Sequence, residues 1–93
     1  MSERTAPALA KLDEWLTHLK SLPPSPQHNQ MIEEGDALRR AVSAFHMEGI
    51  RFRMHSLDRL HASDADENGR RLFGELRHAL EAGGFHTRSH TAP

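Results

Sequence analysis

The chain has 93 residues and no cysteine, with 12 Lys plus Arg against 13 Asp plus Glu for a net charge of −1. A chain this short forms one domain with a small core, and without cysteine neither a disulfide nor a thiolate-bound metal reinforces it. Near-neutral charge argues against a general nucleic-acid binder, no apolar run approaches the roughly 20 residues that span a bilayer, and the first residues lack the apolar core of a secretion signal, so a cytoplasmic location is expected.

In chain order, the first helix is expected over residues 8–22. Thr5 is its candidate N-cap, and Pro7 stands near the first turn, where a missing N–H costs nothing. Leu9, Leu12, Trp15, Leu16, Leu19 and Leu22 then share an arc of about 140°. Pro23, Pro24 and Pro26 end this helix, because proline lacks the donor and forces its predecessor out of the α region.

From Asn29 to Ala62 there is no proline, and Leu38, Val42, Phe45, Gly49, Phe52 and Leu60 keep one helical direction to within about 40°. The spacing predicts a long second helix over 30–62, capped by Asn29, with Glu33, Glu34 and Asp36 complementing the positive end of its dipole. Asp64 with Glu67 resembles a capping box and opens a third helix over 64–82. Its apolar face is Ala65, Leu72, Phe73, Leu76, Ala79 and Leu80, and Gly83-Gly84 stops it. Residues 1–84 are therefore read as a single helical domain and 85–93 as a disordered tail.

The resulting architecture is all-α, a long central helix flanked by two short ones, and it does not close by itself. Each short helix covers only half of the long one, and two layers of helix cannot enclose a core. The long helix also carries a second apolar stripe, Met47, Ile50, Met54 and Leu57, about 100–180° from the first. A homodimer burying these stripes against each other satisfies both observations. The alternatives are a four-helix monomer with a break near Gly49, or a different protein or ligand covering the stripe.

The sequence contains eight histidines. Asp58-x-x-His61 and Glu75-x-x-His78 have the spacing that puts a carboxylate and an imidazole on one helix face, but a helical hairpin holds the two motifs roughly 15 Å apart along its axis. Antiparallel register instead brings Glu48 level with His78 and Arg51 with Glu75, making Glu48, Glu75 and His78 a candidate site for a divalent transition metal such as Zn²⁺, Ni²⁺ or Fe²⁺. The simpler reading of the same residues is a charged flank of Arg51–Glu75 and Glu48–His78 pairs. His18 follows Glu14 by four residues as a solvated pair, while His86 and His90 fall in the expected tail. His46, His55 and His61 border the apolar stripes, where protonation would loosen a buried interface.

Arg39, Arg40, Arg51, Arg53 and Arg59 make the middle of the chain cationic. Their directions are spread around the helix, and the acidic start of the third helix would repel phosphate, so nucleic acid is not an expected partner. No phosphate-binding glycine loop, metalloprotease helix or nucleophile elbow is present. The expectation is a non-enzymatic protein that works by protein–protein association through Met47, Ile50, Met54 and Leu57, with no resident cofactor. Its alternative is a transition-metal carrier.

Overall fold

The first helix forms where the apolar spacing places it: α1 spans Ala6–Ser21 with proline in its first turn. It buries Ala8, Leu9, Leu12, Trp15, Leu16 and Leu19. Thr5 occupies the N-cap position but does not cap the helix through its side chain. The chain turns extended at Leu22 and enters the proline segment. In the computed structural model, which describes residues 3–88, three further helices follow.

The second helix begins earlier than its expected start at residue 30. α2 spans Pro26–Ser43. Ser25 is its N-cap, its hydroxyl accepting the His28 N–H at 3.0 Å, and Pro26 takes the first-turn position where its missing donor is harmless. The same short proline run thus ends one helix and starts the next.

The long central helix is not observed. α2 stops at Ser43 and α3 spans Met47–His61, so the three-helix reading is corrected to four helices, the number given by the alternative with a break near Gly49, and the break itself falls at residues 44–46. Phe45 has a φ of 54°, the left-handed region that a bulky L-residue rarely enters. The turn is closed by the Ala44 N–H to the Arg40 carbonyl at 3.0 Å, Phe45 N–H to Val42 at 3.1 Å and His46 N–H to Ala41 at 2.9 Å. His46 then caps α3 through Nδ1, which accepts the Gly49 N–H at 2.8 Å. Gly49 therefore lies in the first turn of a new helix, and a Cβ there would stand 2.5 Å from the capping nitrogen.

α4 spans Glu67–Ala82. Asp66, not Asp64, is its N-cap, with Oδ1 accepting the Gly69 N–H at 3.1 Å. Asp64 supports that cap by accepting the Asp66 N–H at 3.2 Å.

Contacts along the helices fix their directions. His18, Lys11 and Arg4 meet Asp66, Glu75 and Gly83 in turn, so α1 and α4 are antiparallel. Gln27 meets Leu60, Glu34 meets Arg53 and Ala41 lies against Gly49, so α2 and α3 are antiparallel. α1 packs between α4 and α2, joining the two pairs. The shared core holds Trp15, Met31, Leu38, Val42, Ile50, Met54, Leu57, Leu76 and Leu80, all without solvent exposure.

The radius of gyration is 12.3 Å, matching the roughly 12 Å expected of a compact globular chain of this length. The core closes within one chain. A second chain was needed to complete the core only if the helix ran unbroken.

The described structure also continues past Gly84, where a disordered tail was expected. Phe85 and Thr87 are buried, and Arg77 Nη1 donates to the Thr87 carbonyl and hydroxyl, both at 3.0 Å. Residues 89–93 of that expected tail, with His90, lie outside the described residues. No helix among the described residues is long and apolar enough to cross a membrane.

Candidate functional site

The stripe expected to mediate association turns inward. Ile50, Met54 and Leu57 have no solvent exposure, and Met47 packs partly buried at the edge of the same core. They are committed to holding α3 onto the rest of the bundle. Conversely, Phe45 and Phe52, assigned by periodicity to the core-facing stripe, are the large apolar side chains left exposed among the described residues, at 42% and 60%. The reversal has one cause: the helix phase is reset at 44–46, so directions read across the break do not carry over.

The expected metal residues are not gathered. Glu75 accepts Lys11 Nζ at 3.0 Å and Arg71 Nη1 at 2.8 Å, which hold its carboxyl below the usual glutamate value. Glu48 pairs with Arg51 on its own helix, and His78 is exposed on α4. Among the described residues no three His, Asp or Glu side chains are placed to share a metal ion. Arg51 and Glu75, levelled by the hairpin register, do not pair with each other but with Glu48 and with Lys11 and Arg71 respectively.

The outward face of α3 is the prominent surface feature. At 100° per residue, Glu48, Phe52, His55 and Arg59 lie within an arc of about 60°, nearly opposite the buried Ile50, Met54, Leu57 and His61. All four are exposed. Arg53 flanks them: its guanidinium carbon lies 5.0 Å from the Phe52 ring centroid, and its Nη1 donates to Glu34 on α2 at 3.0 Å. One ring face is thus backed by a cation whose position is set by a carboxylate. Arg59 borders a shallow groove between α2 and α3 shared with Gln30, Glu34, Ser56 and Leu60.

Phe45 is exposed differently, because Arg4 and Phe85 pack against it. Its ring lies 5.7 Å from that of Phe85, and the Arg4 guanidinium lies 5.6 Å from Phe45 and 5.2 Å from Phe85. Arg4 Nε also donates to the Gly83 carbonyl at 2.9 Å. The α2–α3 turn, the N-terminal segment and the C-terminal segment meet here, which gives Phe45 a structural task.

A second polar constellation, missed from the sequence, gathers at the opposite end of the bundle. His18 of α1 and Asp66 form a 2.7 Å hydrogen bond, and His28 of α2 lies 3.8 Å from Asp64. Arg70 Nη2 donates to the His61 carbonyl at 3.1 Å and also to that of Asp64. Behind them His61 is buried, its ring 4.6 Å from Phe73 and 5.8 Å from Trp15. Neither His61 nitrogen, nor Trp15 Nε1, nor Asp64 Oδ2 has a hydrogen-bond partner among the described residues. Burial lowers the His61 pKa below 6.5, with Arg70 adding to this and the nearby aspartates opposing it. His18 and His28 are far in sequence from His61, Asp64, Asp66 and Arg70, and only the alternating helix directions bring them to the same end.

No protein-family model matches the chain, and no curated protein or solved structure is detectably similar to it.

Proposed function

We propose that this protein acts by binding another protein rather than by catalysis, through the outward face of α3 centred on Phe52. The observation that carries the reading is Phe52 itself, 60% exposed on a chain that buries its other stripes. A single exposed apolar side chain is ordinary on a protein surface. Phe52 differs in standing mid-way along a whole helix face, held from one side by Arg53, with an exposed cation and an exposed carboxylate on the same face. An aromatic anchor with arginines beside it is the composition of an energetically dominant contact.

The face replaces Met47, Ile50, Met54 and Leu57 as the association surface; the association role itself is retained. A photo-cross-linking amino acid placed at Phe52, in the source cell, is expected to capture discrete protein adducts that the same probe at Glu33, exposed on α2, does not. Adducts at neither position, or the same adducts at both, would contradict the reading.

A further inference from the structure

We propose that the occupant of the α3 face is a second copy of this chain, its α3 running antiparallel across a two-fold axis that passes midway between Phe52 and His55. The inference rests on the association reading and deepens it by naming the partner.

Two antiparallel copies of one helix, related by a two-fold axis, place each residue opposite the one lying equally far on the other side of the axis. With the axis between Phe52 and His55, Phe52 of each chain faces His55 of the other. Glu48 lies as far before the axis as Arg59 lies after it, so each Glu48 faces an Arg59. The exposed face is thus self-complementary in charge: two carboxylate–guanidinium pairs flank two aromatic–imidazole contacts. A parallel arrangement would set Glu48 against Glu48 and Arg59 against Arg59.

The spacing supports the same geometry. Positions 48, 52, 55 and 59 are separated by four, three and four residues, the seam along which two helices stay in contact over several turns. Both charged side chains stand open to solvent on this face. The Glu48 side chain is 77% exposed despite its contact with Arg51, and Arg59 is exposed and lines a groove open to solvent. A net charge of −1 puts no long-range repulsion between copies. One helix face with a single large apolar residue per chain is smaller than a permanent interface, so the dimer is a weak and concentration-dependent one.

Symmetry supplies the test, because each substitution acts twice. Light scattering over a concentration series of the full chain is expected to show the mass rising from 10.5 kDa toward twice that value. Glu48→Arg sets two arginine pairs in apposition and Arg59→Glu two glutamate pairs, so each alone is expected to weaken association roughly ten-fold or more. An equimolar mixture of the two variants restores opposite charges at both contacts and is expected to associate nearly as well as the original chain. Both residues are exposed, and circular dichroism checks that each variant keeps its helices.

A mass that stays at the monomer value up to about 1 mM, reversals that leave the dissociation constant unchanged, or a mixture no better than its components would overturn the second-copy assignment. If a monomeric chain still cross-links to a different protein through position 52, only the second-copy assignment fails and the association reading stands. If neither self-association nor cross-linking occurs, both fail.

Discussion

At the scale of single residues, His61 is the side chain whose surroundings depart furthest from its chemistry. Its ring sits among Trp15 and Phe73 with no partner for either nitrogen among the described residues, and burial lowers its pKa below 6.5. The unfolded chain therefore takes up a proton at this residue before the folded one does. Stability contributed by keeping His61 neutral is fully present above pH 6.5 and is lost as the pH falls from there through the folded-state value. Asp66 works in a separate window. Burial raises its pKa, but the Gly69 N–H and His18 outweigh that, and the net value lies below 3.8. Its contribution is present above 3.8 and disappears only in stronger acid.

Replacing His61 with leucine removes two unpaired polar atoms from a buried site while filling much of the same space. The expected outcome is a gain of about 1 kcal/mol or more at neutral pH, with less stability lost between about pH 6.5 and pH 5. Urea titrations of both proteins at pH 7.5 and 5.5 measure both quantities. A variant less stable at neutral pH, or one with an unchanged pH dependence, would show that the imidazole makes a contact that its surroundings do not reveal.

At the scale of elements, the close pairing of α1 with α2 depends on Gly35, which sequence reasoning passed over. A Cβ at that position would stand 2.6 Å from the Trp15 ring and 2.7 Å from Leu16 Cδ2. Leu16 has some freedom to move, but Trp15 is fully buried and packed against Phe73 at 5.5 Å. Alanine is the better helix former by about 1 kcal/mol, yet overpacking a closed core costs about 1–3 kcal/mol. Gly35→Ala is therefore expected to lower the denaturation midpoint, and a raised midpoint would mean that α1 and α2 separate without penalty.

The elements also show what the sequence made legible. The apolar face of α1 and that of α4 were readable because each lies between clear stop signals: prolines after Leu22, and Gly83-Gly84 after Ala82. The break between α2 and α3 has no such marker, since neither proline nor glycine stands at 44–46. Phe45 adopts a left-handed conformation and His46 acts as an N-cap, and both are uncommon choices for those tasks. The available signals were Gly49, just beyond the break, and the change of direction between Leu38 and Val42 on one side and Ile50, Met54 and Leu57 on the other. Two stripes out of phase on one supposed helix also describe two helices with a reversal between them.

The same unmarked break hid the candidate site. Read as a continuation of Leu38 and Val42, Phe52 belongs in the core; read from the start of α3, it points away from it. The His18, His28, His61, Asp64 and Asp66 cluster was hidden for another reason. Its members lie near four different helix ends, and residues at helix ends become neighbours only once the order and direction of all the helices are known.

At the scale of the whole molecule, the chain closes its own core, and its α3 helix has one buried and one exposed face. The inner face holds the bundle together, while the outer face offers Phe52, His55 and two opposite charges. Arg4 and Phe85 reinforce this closure by meeting at Phe45, bracing the turn between α2 and α3. Self-closure means that the fold does not depend on the concentration of a partner.

Ile50, Met54 and Leu57 belong to the core of a single chain while Phe52 faces out of it. This arrangement is tested most directly by side-chain NMR of dilute protein with a soluble paramagnetic relaxation agent. The Ile50, Met54 and Leu57 methyl signals are expected to stay sharp at the lowest concentration, alongside that of Met31, while the Phe52 ring signals broaden strongly. Strong broadening of Met54 and Leu57 on dilution, with Phe52 protected, would show that the inner stripe is covered only by a second chain and would contradict the account.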